Sequence, residues 1–421
     1  MIKRLLLFLI IVSLSSAKIQ KFSFGDLKGY YMHNNRLPQI DIRYVIDLGA
    51  IDDPEGLTGL NYLMINSLRH GTKKFSKDEL NYYLDEKGIN LGINLGYDYA
   101  VISIKCLKKS FVSAINLLDE LINYPQFPEK YFKQLKKEII AGIKLNSTNP
   151  DWVAQNMFHK QLFYNTPYKN SIQGNEESLK QIQSNDINVY FKKVFKQCSH
   201  YLVIVGDISM PEIKKQLPLL FDVKVKRHAR FINPKVYEME AKQNFKQMNI
   251  EQSHVYWGFP AIYRQHPNYY DFYLLASWLG GGTLNSKLMD VVREKKGLAY
   301  GIYGHLEAYR YAGRFWIAIQ TKDSDAAELL VKKIFSELGD FSKEDKEQIK
   351  ATKQYLIDSF ALRIETNSQL ADQLAYMAYY DLPFNYFQIF TKKIQNSSLS
   401  DLKKIAKKYL KVEPTRFKLS K

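Results

Sequence analysis

The chain is written twice, and that duplication constrains the fold more than any other feature. YLMINSLRHGT, Tyr62 to Thr72, returns as YLLASWLGGGT, Tyr273 to Thr283, at an offset of 211 with no gap. LDEKGINLGINLG, Leu84 to Gly96, matches VREKKGLAYGIYG, Val292 to Gly304, and LNSTNPDWVAQ around Asn149 resembles RIETNSQLADQ around Asn367. Three matched segments in one order imply two copies of one domain, which suits a length of 421 residues, too long for one ordinary core.

Within each copy, short strand-like runs alternate with helical periodicity. IDIRYVIDLGA, YAVISIKCL and YLVIVGDIS read as strands of the first copy, and HVYWGFP, YGIYGHLEAY and RFWIAIQT as strands of the second. The uneven order predicts α+β domains, each a mainly antiparallel sheet covered by helices. The charged, aperiodic stretch from Val223 to Lys235 reads as the linker, which places the first domain at 18–222 and the second at 236–421.

Two basic residues, an apolar run from Leu5 to Leu14 and a small-x-small end at Ser15-Ser16-Ala17 read as a secretory signal over residues 1–17. The run is about half the roughly 20 residues of a spanning helix, so no integral membrane segment is expected after cleavage. A short basic signal of this kind suits a bacterial periplasm. Cys106 and Cys198 are too few to build a zinc site, and their pairing is open from sequence. The net charge of +17 comes from dispersed lysines, including Lys403 to Lys408, without the stacking aromatics of a nucleic-acid module. A solvated basic surface, with a residual attraction for acidic peptides or anionic lipid heads, is the reading.

The order of Gly59-Leu60, Tyr62, Ile65-Asn66 and Gly71-Thr72 at the start of a duplicated chain resembles the pitrilysin/insulinase family of inverted-motif zinc peptidases, which includes the mitochondrial processing peptidase. Catalytic members carry two histidines four residues apart on this helix, with a glutamate just before the second. Residues i and i+4 share a helical face, so two imidazoles bind one zinc while the glutamate serves its water as general base. In that register the histidine positions are Tyr62 and Asn66, the base position is Ile65, and the third ligand falls near Gly142. A phenol, an amide, an alkyl chain and a bare backbone predict no zinc and no catalytic residue in this chain.

WLGGGTLNSKLMDVVREKKGLAYGIYG in the second copy resembles the family segment that carries a substrate-binding arginine and tyrosine, here Arg293 and Tyr300. The resemblance implies that they reach a peptide held at the zinc of an opposite domain or subunit. A guanidinium orients a carbonyl or carboxylate, and a phenolic hydroxyl donates to an oxyanion. Gly280, Gly281 and Gly282 would let a backbone approach closely. The sequence therefore predicts a noncatalytic subunit of a secreted heterodimeric zinc endopeptidase acting on unfolded peptides, its zinc supplied by a homologous partner. The alternative is a peptide-binding or scaffold homodimer without proteolytic role.

Overall fold

A computed structural model describes residues 19–220, 235–238, 240–281 and 286–421. The signal at 1–17, nearly all of the linker and Gly282 lie outside the described residues.

The first sheet holds six strands: β1 (Gln20–Phe24), β2 (Leu27–His33), β3 (Gln39–Ile46), β4 (Asn90–Leu95), β5 (Ala100–Leu107) and β6 (His200–Gly206). Their order is β1-β2-β6-β3-β5-β4, and only β2 and β6 run parallel. The second sheet holds β7 (Gln243–Gln247), β8 (Ser253–Ala261), β9 (Ile302–Ala308), β10 (Gly313–Thr321) and β11 (Thr415–Ser420), in the order β7-β11-β8-β10-β9. Here too a single pair, β7 with β11, is parallel. Strand for strand, the second order repeats the first without its β1, so the duplication in the sequence is a duplication of topology. Both units are α+β, mainly antiparallel sheets covered by helices.

The contiguous domains expected at 18–222 and 236–421 need correction. Each sheet comes from its own half of the chain, but the compact unit around the first sheet gives up Ile143–Lys169 and gains Phe360–Phe384, while the unit around the second sheet does the reverse. The exchanged segments carry the third repeated motif. Asn149 caps a helix at Pro150–Leu162 by accepting from the backbone amides of Asp151 and Trp152, with Pro150 at its first position. Thr366 caps a helix at Asn367–Tyr379 through a capping box with Gln369.

The exchange supplies each sheet with cover for its second face. Every residue of β3 except Gln39 is buried, although the strand alternates sides, so apolar packing is needed above and below it. On one face of the second sheet, Val153, Ala154, Phe158 and Leu162 of the first-half helix pack with Tyr256, Phe417 and Leu419. Gly258 makes room for this helix, because a Cβ there would lie 2.4 Å from a Leu162 methyl and 2.8 Å from the Phe158 ring. On the other face Phe259 stacks on Phe335 at 4.7 Å.

A buried arginine ties each exchanged helix to its sheet. Arg43 on β3 donates to Asp372 at 2.6 Å and to the Ser368 hydroxyl at 2.6 Å, and it lies 3.6 Å from buried Asp41. Arg314 on β10 grips Glu307 of β9 through two bonds of 2.9 Å and reaches His159 Nδ1 at 2.9 Å. Glu307 also accepts from Tyr309 and Trp316, and the arginine charge and these bonds outweigh burial and hold its carboxyl down at about 2. His159 Nε2 lies 2.7 Å from the Tyr168 carbonyl oxygen. That acceptor fixes the proton on Nε2 and leaves Nδ1 to accept from Arg314, so the ring is neutral. Cys106 and Cys198 are buried thiols with no disulfide between them.

Burial lowers the pKa of both His159 and His200 to about 4, from an ordinary 6.5. The unfolded chain therefore takes up protons that the folded chain refuses, and stability falls as the pH drops from 6.5 through 4. The urea midpoint is expected to hold near pH 7.5 and to fall steeply across that window. His159→Gln keeps a neutral donor and acceptor and should blunt the fall; an unchanged pH profile in that variant would remove His159 from the account.

Candidate functional site

The helix that matches the zinc-peptidase pattern spans Leu60–Ser67. Gly59 precedes it at φ +94°, and a Cβ there would lie 2.6 Å from the Gln173 carbonyl oxygen, so both the turn and the close approach require glycine. The Asp53 carboxylate closes the helix start, accepting from the amides of Gly59 at 2.7 Å and Asn61 at 2.8 Å. Leu60, Leu63, Met64, Ile65, Ser67 and Leu68 face inward and are buried.

Tyr62 and Asn66 lie half-buried on the opposite side of this helix, one turn apart, as two metal ligands would. Their polar atoms are engaged locally. Asn66 Nδ2 donates to the Tyr62 carbonyl at 2.8 Å, and the Gln173 amide donates to the Tyr62 hydroxyl at 3.3 Å. Ile65, at the base position, is wholly inside the core. Gly142 sits in the Glu129–Asn146 helix, where an added Cβ would meet open space. Among the described residues no three histidine, cysteine or carboxylate side chains gather to hold a metal.

His70, the one histidine close by in sequence, ends in a short turn after this helix and is buried against the Tyr131 ring at 5.7 Å. Burial first, then the charges of Lys77 and Arg69, lower its pKa to about 4, so it is neutral at pH 7. Its Nδ1 has no hydrogen-bond partner among the described residues, and the ring serves as packing.

The second copy presents a different picture. Arg293 closes a π-helical turn at Met289–Glu294, and the chain then reverses through Gly297 at φ +61°. Backbone bonds from Gly297 to Arg293 and from Leu298 to Val292 fix the reversal, and the Thr321 hydroxyl holds the Leu298 carbonyl at 2.6 Å. This brings Tyr300 back to Arg293, with the guanidinium 5.0 Å from the centre of the ring. Such an exposed cation–π pair contributes about 0.5–1 kcal/mol. Tyr300 is 85% exposed, and its hydroxyl has no hydrogen-bond partner among the described residues. The arginine's other neighbour is Glu294, 3.4 Å from Nε. The structure thus joins a half-buried Arg293 and an exposed Tyr300 into one pair beside β9, an edge strand.

Gly280 is placed otherwise than a substrate contact. It is buried, and a Cβ on it would stand 2.4 Å from the Gly304 amide nitrogen and 2.7 Å from its Cα. The close approach it permits is that of the Tyr269–Gly280 helix to β9. A Cβ on Gly281 would meet the Ser277 backbone at 2.5 Å, again within the fold. Tyr303 is a neighbour that sequence reasoning missed. It is 44% exposed on the outer face of β9 and its hydroxyl lies over Gly301, so a second phenol stands near Tyr300. The alternation in GIYGH, with Ile302 and Gly304 inward and Tyr303 and His305 outward, carries that signal.

Comparison with known proteins agrees with this geometry. The model of the insulinase peptidase family (M16) matches residues 31–176, and that of the peptidase M16 inactive domain matches residues 181–356. The chain is 26% identical over 402 residues to the non-peptidase homolog YmxG of Helicobacter pylori, covering 94% of this chain and 92% of that one. It is 24% identical over 285 residues to an uncharacterized zinc protease YmxG of Bacillus subtilis, covering 68% and 69%. Among solved structures, a peptidase M16 inactive domain from Pseudomonas fluorescens superposes with a TM-score of 0.87 at 22% identity over 96% of this chain and 98% of that one.

The burial of Ile65 makes restoration of the motif costly in a specific way. Ile65→Glu puts a carboxylate in the core and should lower stability by at least about 3 kcal/mol, whereas Tyr62→His and Asn66→His act on a half-exposed face and should be tolerated. Asn66→His alone should bind no stoichiometric zinc, because catalytic zinc takes three protein ligands. Only the set Tyr62→His, Ile65→Glu, Asn66→His and Gly142→Glu supplies every position. Urea unfolding and zinc titration measure both effects; tight zinc binding by Asn66→His would show the register to be wrong.

Proposed function

Because this chain belongs to the insulinase (M16) peptidase family, we propose that it is the noncatalytic, substrate-binding subunit of a secreted heterodimeric zinc endopeptidase acting on unfolded peptides. The family shows the fold, and the side chains at the motif positions make the chain an inactive homologue, in keeping with the name of its Helicobacter pylori relative. The observation that carries the proposal is a contrast within one molecule. The ligand face is filled by two neutral groups bonded to their neighbours, while a half-buried Arg293, beside Glu294, lies against an exposed Tyr300.

In this reading a homologous partner supplies zinc, its water and the general base. Arg293 orients a carbonyl or carboxylate of the bound peptide, and Tyr300 donates to the oxyanion that forms on the attacked carbonyl. The edge strands β4 and β9 offer unpaired backbone groups to an extended peptide, giving affinity with little demand on sequence. Secretion rests on the leader-like residues 1–17.

The isolated chain is expected to bind no stoichiometric zinc and to cleave no peptide; about one zinc per chain with chelator-sensitive activity would overturn the proposal. Reconstituted with a zinc-bearing homologue encoded beside it, the pair should cut quenched peptides. Tyr300→Phe should then lower turnover roughly 100-fold, the loss of one transition-state donor, with assembly unchanged. Wild-type turnover in both Tyr300→Phe and Arg293→Ala would favour the peptide-binding or scaffold homodimer instead.

A further inference from the structure

The lysines at the end of the chain form a surface that the proposed peptidase role does not use. A helix at Leu399–Ile405 continues through wider turns at Ala406–Leu410. Leu402, Ile405, Ala406, Tyr409 and Leu410 are buried, and every exposed position from Leu402 to Lys411 is a lysine: Lys403, Lys404, Lys407, Lys408 and Lys411. At 3.6 residues per turn these five span roughly 140° of helix surface and about 12 Å of its length. They form one convex basic ridge, where a solvated helix face ordinarily mixes charges of both signs.

Carboxylates neutralise only its beginning. Lys403 pairs with Asp340 at 3.0 Å and Lys404 with Asp401 at 3.3 Å. Lys407, Lys408 and Lys411 have no ion-pair partner among the described residues, although Lys411 also acts on Asp340. Lys408 in turn faces His266 on a neighbouring loop, whose pKa is lowered by burial first and by this lysine second. A helix C-terminus favours cations in its last turn, which accounts for one turn of lysine and not for two.

We propose that this ridge docks the protein on an anionic membrane surface, its lysines meeting the phosphate headgroups. The geometry selects that occupant. A row of like charges on a convex helix complements a broad, flat anionic surface, whereas a single phosphate needs a concave cradle. Single-stranded nucleic acid would draw on exposed aromatic rings for stacking, and the ridge's one aromatic, Tyr409, is buried. Val412, 40% exposed and next to Lys411, adds an apolar contact at headgroup depth. Three uncompensated lysines make a reversible, salt-sensitive attachment.

The test is cosedimentation of the full chain with vesicles of phosphatidylglycerol and phosphatidylcholine, read as the increment over vesicles of phosphatidylcholine alone. At low salt the increment should be large, and it should vanish near 0.5 M salt, where the Debye length shrinks to a few ångströms. The triple variant Lys407→Glu, Lys408→Glu and Lys411→Glu should lose at least about tenfold of it. Lys73→Glu, Lys130→Glu and Lys137→Glu together change net charge equally at exposed sites elsewhere and should stay within about threefold. Circular dichroism checks that both variants fold; if the ridge triple fails to, the single change Lys407→Glu should still show a partial loss and the control none. Equal losses in the ridge and control variants would make the attraction one of net charge and overturn the proposal. Equal binding of the wild type to neutral vesicles, or displacement from vesicles by duplex DNA at matched phosphate, would overturn it as well.

Discussion

Two buried guanidinium groups hold the architecture together. Arg43 and Arg314 each stand on an interior strand and each bond to a helix that the other half of the chain provides. A charge so far from water is tolerable only when paired, and removing a partner costs more than the pair contributes. Arg43 finds its counter-charge on its helix at Asp372, Arg314 finds its own on β9 at Glu307 and adds a bond to the neutral His159 of its helix, and each helix brings the apolar side chains that cover the second face of a sheet. The reciprocity makes the two copies depend on one another for completion. Neither half of the sequence, taken alone, contains the cover its own sheet needs.

The loss of chemistry in the first copy follows lines that this packing sets. Helix Leu60–Ser67 keeps its glycine entry, its Asp53 closure and its buried face, all of which the fold uses. The half-exposed positions 62 and 66 are free of that demand, and they carry residues that satisfy themselves with a carbonyl four residues away and with Gln173. The base position goes a step further. An isoleucine wholly within the core converts a site of charge into a site of packing, and it makes return to a carboxylate unfavourable before any metal is considered.

Much of this was legible in the sequence because it depends on local pattern. The repeat, the strands and the antiparallel character could be read from periodicity and spacing, while the two ligand positions and the base position on helix Leu60–Ser67, and the pairing of Arg293 with Tyr300, rest on the family resemblance. What escaped was long-range. The amphipathic pattern of Pro150–Leu162 says that one face is apolar, not which sheet the face will meet, so the exchange of helices was invisible and the domain boundaries were drawn contiguously. Gly280 escaped for the same reason, since its requirement comes from Gly304 on a strand more than twenty residues later. Tyr303 was within reach of the period-two alternation but was hidden behind the better marked Tyr300.

The two copies thus divide the constraints of one ancestral plan. In the first, the positions that match the family's metal ligands are closed by neighbours of the same unit. In the second, the turn through Gly297 is fixed by backbone bonds and by Thr321, and the result is to hold Arg293 against a tyrosine that its own unit does not bury. Packing gives no reason for an 85% exposed aromatic ring, and a cation–π contact of this size does not repay the ordering of both side chains by a wide margin. What the ordered backbone of this turn does is set a guanidinium beside a phenol ring at the surface next to an edge strand, a placement that the packing of the unit does not itself require.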